Sequence, residues 1–426
     1  MLFTLMIIAF VIGYACIALE HPLGINKSAT ALLLGTLMWV LGVQYLPEAH
    51  GELVEKLGEV AEILFFLLGA MTIVELVDVH EGFRIITDKI STTRKSNLLW
   101  IISLITFFMS AVLDNLTTSI VMVALLRKLI GDKTDRWIYA GMVILAANAG
   151  GAWSPIGDVT TIMLWIAGKF DSVHIMLVTF LPSLVSLLVP VILLSFTMKG
   201  NVSRPVVSEQ NTHRYTISKN ERTLIFILGV GALLFVPVFK TITHLPPYLG
   251  MLGGLAVLWI ITGFMHKRRP QSDADYLSVN NILSRVDTPS ILFFLGILMA
   301  VNALQVCGHL ALLSTSLDQI PLAEPNKYYL ITVIIGFLSS IVDNVPLVAA
   351  AMGMYDFPMN HYFWEFLAYA AGTGGSILII GSAAGVAVMG MEKIDFIWYL
   401  KKISWLALLG YLAGAATYFL QQSIFG

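Results

Sequence analysis

SAVLDNLTTSIVM (residues 110–122) and SSIVDNVPLVAAAM (residues 339–352) are two versions of one motif. Each places an Asp-Asn pair, at 114–115 or at 343–344, in the middle of a long apolar stretch. A charged side chain at the centre of a bilayer costs roughly 3 kcal/mol or more, so it needs a partner or a function. The two motifs therefore indicate two similar halves, each carrying a polar site inside a membrane.

The composition extends the membrane assignment to the whole chain. Of the 426 residues, 57% are hydrophobic and 12% are charged, and the mean hydropathy is +0.83. A soluble domain carries about 25% charged residues, so this chain has too few charges to cover a water-facing surface. The net charge of −2 gives no indication of a nucleic-acid partner. Cys16 and Cys307 both lie in apolar runs and imply no disulfide framework.

Apolar runs of membrane-spanning length recur along the chain. We predict ordinary spans at 1–18, 28–46, 59–77, 136–168, 174–198, 222–240, 248–265, 290–315, 361–390 and 403–422. The sequence therefore predicts an all-α polytopic membrane protein whose partners include membrane lipid and small cations.

Two further apolar stretches, 98–130 and 327–354, contain the Asp-Asn pairs. Basic residues flank the first stretch on both sides: Arg84, Lys89, Arg94 and Lys95 precede it, and Arg127, Lys128, Lys133 and Arg136 follow. Because positive loops stay cytoplasmic, both ends of 98–130 are expected on one side of the membrane. We predict that each stretch is a re-entrant hairpin with its Asp-Asn pair at the tip, and that an odd number of crossings between them makes the halves face opposite ways.

A second pair of motifs supports an inverted repeat. AANAGGAWSPIGD (residues 146–158) and AAGTGGSILIIGS (residues 370–382) share Ala-Ala, Gly-Gly and Ile-Gly at the same offsets. They lie in the long spans 136–168 and 361–390, which glycines interrupt near their centres. Inverted repeats with broken helices are the architecture of secondary transporters, in which unwound segments line the substrate site.

This architecture divides the chain into four parts. They are scaffold helices 1–97, a first transport half 98–198, a linker with further scaffold helices 199–326, and a second transport half 327–426.

The polar residues of these motifs are hard oxygen ligands, which suit a small hard cation. The candidate sodium ligands are Asp114, Asn115, Asp158, Asp343 and Asn344. Further candidates for ion binding or transport are Thr117, Thr118, Asn148, Thr160, Thr161, Ser340, Thr373 and Ser376. Thiolate and imidazole, the ligands expected for zinc or copper, are absent from the motifs, and we expect no cofactor.

Burial raises the pKa of a carboxyl group and a bound cation lowers it, so a proton and a sodium ion exclude one another. If such a site must hold either a proton or a sodium ion whenever it moves between the two sides of the membrane, it exchanges one ion for the other. The alternative for Asp114 and Asp343 is a structural role, in which hydrogen bonds to them hold the hairpin tips. The counterpart of Asp158 by offset is Ser382, so the two halves differ at this position. Glu62 is either a proton relay or an interfacial residue.

With these motifs the sequence resembles the NhaD-type sodium/proton antiporters of the ion transporter superfamily, over essentially the whole chain. The resemblance rests on ALEHPLGINK (residues 18–27) and on the stretches 110–119, 148–161 and 339–344. It implies roles in ion handling for Asp114, Asn115, Asn148, Asp158, Thr160, Thr161, Asp343 and Asn344, and more loosely for Ser376 and Glu62. It also implies exchange of sodium or lithium for protons, a homodimer, elevator-type movement and a location in a bacterial inner membrane. Pro346 stands where the first repeat has Thr117, so the second tip lacks that hydroxyl.

Three other functions compete with this one. An arsenite or other anion exporter of the same superfamily is the closest, because its hairpin motif can look similar. Carboxylate carriers are expected to have neutral tips, since two aspartates would repel an anionic substrate. An intramembrane aspartyl protease would need Tyr-Asp followed downstream by Gly-x-Gly-Asp, whereas Gly157-Asp158 lies upstream of Tyr355-Asp356. We therefore expect a transporter and no enzyme.

Overall fold

A computed structural model describes residues 1–87, 90–205, 217–267 and 269–425. All regular elements in these ranges are helices, and an isolated bridge pairs Arg94 with Asn201. The helices are α1 Leu2–Ala18, α2 Glu20–Leu23, α3 Lys27–Tyr45, α4 Ala49–Val79, α5 Arg84–Thr87, α6 Lys95–Leu113, α7 Asn115–Leu129, α8 Lys133–Ala152, α9 Val159–Ile166, α10 Ser172–Thr197, α11 Lys219–Thr243, α12 Pro247–His266, α13 Gln271–Tyr276, α14 Val279–Leu283, α15 Thr288–Val306, α16 His309–Asp318, α17 Asn326–Leu338, α18 Asn344–Met354, α19 Tyr362–Gly374, α20 Ala383–Glu392, α21 Phe396–Lys402 and α22 Ser404–Phe425. The predicted all-α class is confirmed.

Seven helices in the described ranges are long and apolar enough to cross a membrane. The number rises to eight if α21 and α22, which are bent by 50° at their junction, count as one span. The chain is therefore a multi-pass membrane protein, as the composition predicts. Part of the predicted linker, residues 206–216, lies outside the described residues.

One predicted span is wrong. The run 290–315 was expected to be continuous, but it divides into α15 and α16. Gly308 separates the two helices with a φ of 80°, a left-handed conformation that interrupts a right-handed helix. Hydropathy does not detect this break, because a single glycine hardly changes the apolar character of the run.

The first hairpin, α6 and α7, enters and leaves on one face. At its start the Lys95 N–H donates to the Gly200 carbonyl at 3.0 Å, and just after its end the Gly131 N–H donates to the Ser203 carbonyl at 2.7 Å. Both ends therefore lie against the same short segment of chain, 200–203. The polypeptide reverses at Asp114, which confirms the predicted re-entrant hairpin.

The second hairpin, α17 and α18, closes in the same way through aromatic side chains. The ring of Tyr328, near its start, lies 5.6 Å from that of Tyr355, which directly follows α18. The Phe357 ring packs 5.0 Å from Tyr328 on the same face. Residues 339–343 form the turn at the opposite end, so this stretch is also a hairpin with its Asp-Asn pair at the tip.

The first broken helix consists of α8 and α9. It runs from the face where the first hairpin begins and ends to the face where the second hairpin begins and ends. Near its start Asp135 pairs with Lys95 at 2.7 Å. Beyond its end the Lys169 carbonyl accepts from the Asn360 N–H at 2.9 Å, in the loop that also holds Phe357. The two hairpins therefore enter from opposite faces.

The second broken helix, α19 with α20, runs the other way. It begins at Tyr362, whose ring lies 5.3 Å from that of Tyr329 in the second hairpin, and it ends at Glu392. The buried Glu392 carboxylate pairs with Arg127 and Arg136 on the face of the first hairpin, each at 2.6 Å. The antiparallel course of the two broken helices is the predicted inverted repeat.

Equivalent glycines allow each broken helix to touch its hairpin. A Cβ at Gly150 would overlap the backbone carbonyl of Phe107, and a Cβ at Gly374 would overlap that of Gly336. Gly150 aligns with Gly374 in the second repeated motif. Phe107 and Gly336 are equally spaced before the two hairpin aspartates. Both contacts therefore repeat the same close approach of two helix backbones, which only glycine permits.

A hydrogen bond also repeats beside each tip. Ser110 Oγ donates to the Ala147 carbonyl at 2.6 Å, and Ser339 Oγ donates to the Ala371 carbonyl at 2.8 Å. The motifs recognised in the sequence thus make the same contact in both halves. Each hairpin tip is fixed to the helix break of its own repeat.

Candidate ion site

Asp158 ends the break between α8 and α9, and its side chain caps α9. Its Oδ1 accepts from the N–H of Thr160 at 2.8 Å and from the hydroxyl of Thr160 at 2.7 Å. Thr161 completes a capping box, since its hydroxyl accepts from the Asp158 N–H at 3.2 Å. A carboxylate at a helix N-terminus is stabilised by the free N–H groups and the helix dipole. Two threonines therefore hold one buried carboxylate, 1% exposed, in a fixed orientation.

Both hairpin tips reach this carboxylate. The Asn115 amide donates to Asp158 Oδ2 at 2.5 Å. From the other hairpin, the Asn344 amide donates to Asp158 Oδ1 at 3.3 Å. The asparagines of the two motifs thus converge on one acidic group, and all three side chains are buried.

Asn148 connects this group to the second repeat. Its Oδ1 accepts from Asn115 at 3.0 Å, and its amide donates to the hydroxyls of Ser376 and Ser382, both at 2.9 Å. Ser382 caps α20 through the Gly385 N–H at 3.1 Å, as Asp158 caps α9. Ser382 aligns with Asp158 in the repeated motif, so the two caps are equivalent. We call Asn115, Asn148, Asp158, Asn344, Ser376 and Ser382 the central cluster.

Asp114 caps α7. Its carboxylate accepts from the Thr117 N–H at 2.7 Å and from the Thr117 hydroxyl at 2.8 Å. Its backbone has φ 72° and ψ 159°, a region that a non-glycine residue occupies at a cost of about 1–3 kcal/mol. Thr118, one turn further along α7, has a buried hydroxyl with no hydrogen-bond partner within the described ranges.

Asp343 lies on the other side of the second tip. Its carboxylate caps α18 through the Val345 N–H at 3.1 Å. It also lines a cavity of about 70 Å³ together with Tyr14, Lys27 and Ser382. The reasoning from motifs did not identify Tyr14 or Lys27, because they lie in the first helices, far from the repeats in sequence. Ser382 lines this cavity and belongs to the central cluster, so it connects the two.

The remaining predicted residues make their hydrogen bonds or line cavities outside the central cluster. Ser340 Oγ donates to the Phe337 carbonyl at 2.7 Å, and Thr373 Oγ1 donates to the Tyr369 carbonyl at 2.6 Å. Each of these hydroxyls serves its own helix turn. Glu62 lines a separate cavity of about 580 Å³ that also includes Lys169 and Asn302.

The central cluster has the chemistry of a site for a small cation. It offers one carboxylate, three amide oxygens and two hydroxyls, all hard donors. Because an asparagine side chain carries both an N–H donor group and an oxygen acceptor, it can stabilise the carboxylate or turn its oxygen to a metal ion. The cluster is formed from residues of both repeats, so the two halves are in contact here.

Comparison with known proteins agrees with this architecture. The CitMHS family, described as citrate transporter, matches residues 14–374. The YdaH transporter of Alcanivorax borkumensis has a similar fold, with a TM-score of 0.60, 10% identity and coverage of 94% of this chain and 98% of that one.

Sequence relatives are closer. Sodium/proton antiporter 1 of Arabidopsis thaliana is 50% identical over 423 residues, covering 97% of this chain and 71% of that protein. The Na(+)/H(+) antiporter NhaD of Alkalimonas amylolytica is 32% identical over 446 residues, covering 96% and 88%. The NhaD of Vibrio cholerae is 32% identical over 457 residues, covering 97% and 91%. The chain belongs to the CitMHS transporter family and, with these relatives, to the NhaD-type sodium/proton antiporters.

Proposed function

We propose that this chain exchanges Na⁺, or Li⁺, for H⁺ across a membrane, with Asp158 as the group that binds either ion. The observation that carries the proposal is the position of Asp158, a buried carboxylate contacted by asparagines from both hairpin tips. The names of its relatives, which are sodium/proton antiporters, support the same function.

Competition at one carboxylate couples the two ions. With a proton on Asp158, the carboxyl group is neutral and is compatible with burial. With sodium bound, the carboxylate is neutralised by the metal ion, and Asn115 and Asn344 rotate so that their amide oxygens face the ion. A buried carboxylate with neither ion bound is unfavourable in free energy. The site therefore moves between the two sides of the membrane only when a proton or a sodium ion occupies it.

The central cluster draws all its members from the predicted transport halves, 98–198 and 327–426. We infer that these halves move as one unit against scaffold helices from 1–97 and 199–326 and carry the ion with them. A homodimer, held together through scaffold helices, would give that unit a fixed frame. The unit needs no cofactor.

The two other hairpin residues have secondary roles in this proposal. Asp114 and Asp343 add negative charge beside the site and attract cations toward it. Asp343 does so from the cavity shared with Tyr14 and Lys27, which we assign as a route between the site and water. For a bacterial chain of this kind the inner membrane is the proposed location.

Dye quenching in everted vesicles tests the function. Na⁺, Li⁺, K⁺, citrate and arsenite are added in turn to vesicles that hold a proton gradient. We expect dequenching by Na⁺ or Li⁺ that is lost in Asp158→Asn and retained in Asp356→Asn, whose carboxylate is exposed on a loop. Transport of arsenite or citrate with no response to alkali cations would contradict the proposal.

A further inference from the structure

A second cluster of ligand-type side chains lies at the ends of three helices outside the transport halves. His80 directly follows α4, Glu221 is in the first turn of α11, and His266 is the last residue of α12. One ligand atom from each of them lies within 4.8 Å of the others. Both histidines are buried, and Glu221 is half-buried. Unlike the central cluster, this one contains imidazole.

Hydrogen bonding fixes which nitrogen of His80 is available. Its Nδ1 lies 2.7 Å from the Leu76 carbonyl, which can only accept, so Nδ1 carries the proton. The Nε2 atom of His80 therefore has a free lone pair. A histidine that donates one ring N–H to a backbone carbonyl and presents the other nitrogen is the usual arrangement of a metal ligand.

Two of the three spacings between the donor atoms fit a tetrahedral metal ion. His80 Nε2 lies 3.2 Å from His266 Nε2, which lies 3.3 Å from Glu221 Oε1. With metal–ligand bonds of about 2.0–2.1 Å, neighbouring ligands of a tetrahedral zinc site are about 3.3 Å apart. The third pair, His80 Nε2 and Glu221 Oε1, lies within 4.8 Å, so the side chains would close in slightly to bring all three atoms to one metal ion.

The surroundings complete the site. Arg269 pairs with the other oxygen of Glu221, which orients the carboxylate so that Oε1 faces His266. Such outer partners are typical of metal-bound carboxylates. A cavity of about 190 Å³, lined by His266, Thr262 and Asp275 among others, reaches the cluster. It touches the cluster at His266 and gives access to that side of it.

We propose that His80, Glu221 and His266 bind one divalent transition-metal ion, of which zinc is the best fit. The two imidazoles are borderline ligands that favour Zn²⁺, Co²⁺ or Ni²⁺ over Na⁺, Mg²⁺ or Ca²⁺, and a carboxylate also binds Zn²⁺. The ion joins the ends of α4, α11 and α12, so it stabilises the scaffold and takes no part in the exchange reaction. The competing explanation is a hydrogen bond between two neutral histidines.

Co²⁺ binding to the full-length purified protein, with any affinity tag removed, tests the site. We expect one equivalent of Co²⁺ to bind with the visible absorption of a tetrahedral complex, and Zn²⁺ to displace it. His266→Gln should weaken binding by roughly 100-fold or more, because even substitutions of outer partners cost about 10- to 100-fold. Glu221→Gln should also weaken it. His50→Gln, an exposed position at the other end of α4, should bind as the wild type does.

Gel filtration and thermal unfolding without metal establish that each variant is folded. With metal, the wild type and His50→Gln should unfold at a higher temperature, whereas His266→Gln and Glu221→Gln should not respond. Two results would overturn the proposal. One is a folded wild type that binds no stoichiometric Co²⁺, which leaves only the histidine hydrogen bond. The other is binding that persists unchanged in both His266→Gln and Glu221→Gln.

Discussion

Asn344, at the tip of the second hairpin, donates a hydrogen bond of 3.3 Å to Asp158, which belongs to the first repeat. This contact joins the two halves of the protein at a single carboxylate. The equivalent position in the second repeat is Ser382, so the helix break of the first repeat ends in a carboxylate and that of the second ends in a hydroxyl. The two repeats therefore have nearly the same fold, but they differ in the side chain at the helix break.

Asn344→Ala should raise the sodium concentration for half-maximal exchange by about 10-fold or more. A hydrogen bond to a charged group contributes about 1.5–3 kcal/mol, and the variant also loses an amide oxygen for the ion. The measurement is the sodium dependence of dequenching in vesicles. Asn326→Ala, an exposed position at the start of α17, is the control. An unchanged sodium dependence in Asn344→Ala would remove the second hairpin from the site.

Gly374→Ala should destabilise the protein strongly, because the added methyl group would overlap the Gly336 carbonyl and backbone cannot move aside cheaply. Gly150→Ala should do the same in the first repeat. Gly390→Ala, in α20, is the matched control, since a Cβ there meets nothing within 4 Å. Thermal unfolding in detergent measures the effect. Equal unfolding temperatures for Gly374→Ala and Gly390→Ala would contradict the close packing of the two helices.

Asp114→Asn should preserve the fold and reduce exchange, which separates the two roles of this residue. The asparagine oxygen can still accept from the Thr117 N–H and cap α7, but the negative charge is lost. Asp114→Ala removes the cap as well and should lower the unfolding temperature. If Asp114→Asn exchanged at the wild-type rate, the residue would be purely structural.

Asp171 and Asn360 link the loops next to the two broken helices. The Asp171 N–H donates to Asn360 Oδ1 at 2.9 Å, and the Asn360 amide donates to Asp171 Oδ2 at 2.7 Å. Partial burial alone would raise the pKa of Asp171, but hydrogen bonds from the His174 N–H and from Asn360 outweigh it and lower the pKa.

A lowered folded-state pKa means that this stabilisation is present above the ordinary pKa of aspartate and is lost as the pH falls through the lowered value. Asp171→Asn should therefore unfold at a lower temperature than the wild type at neutral pH, and the difference should shrink in acid. Thermal unfolding at a series of pH values checks this. A difference that grew in acid would contradict the assigned hydrogen bonds.

The sequence predicted the parts of the fold that have a repeated signal. The hairpins and the helix breaks were recognisable because motifs recur with polar residues inside apolar stretches, and Ser110 and Ser339 then make equivalent contacts. The break at Gly308 had no repeated partner and was missed.

The site was predicted as a set of residues but not as an arrangement. Asp114, Asp158 and Asp343 looked similar in the sequence, because each is an aspartate in an apolar region. In the structure all three cap a helix, but Asp158 also accepts hydrogen bonds from both hairpin tips. Such differences depend on side-chain direction across distant segments, which a linear pattern does not encode.

The central claim is that sodium and a proton compete for Asp158. Calorimetric titration of Na⁺ into the purified protein, in buffers with different ionisation enthalpies, measures both the affinity and the number of protons released. We predict that sodium binding releases protons and weakens as the pH falls, and that Asp158→Asn abolishes both the binding and the proton release. Sodium binding of unchanged affinity and proton release in Asp158→Asn would contradict the account.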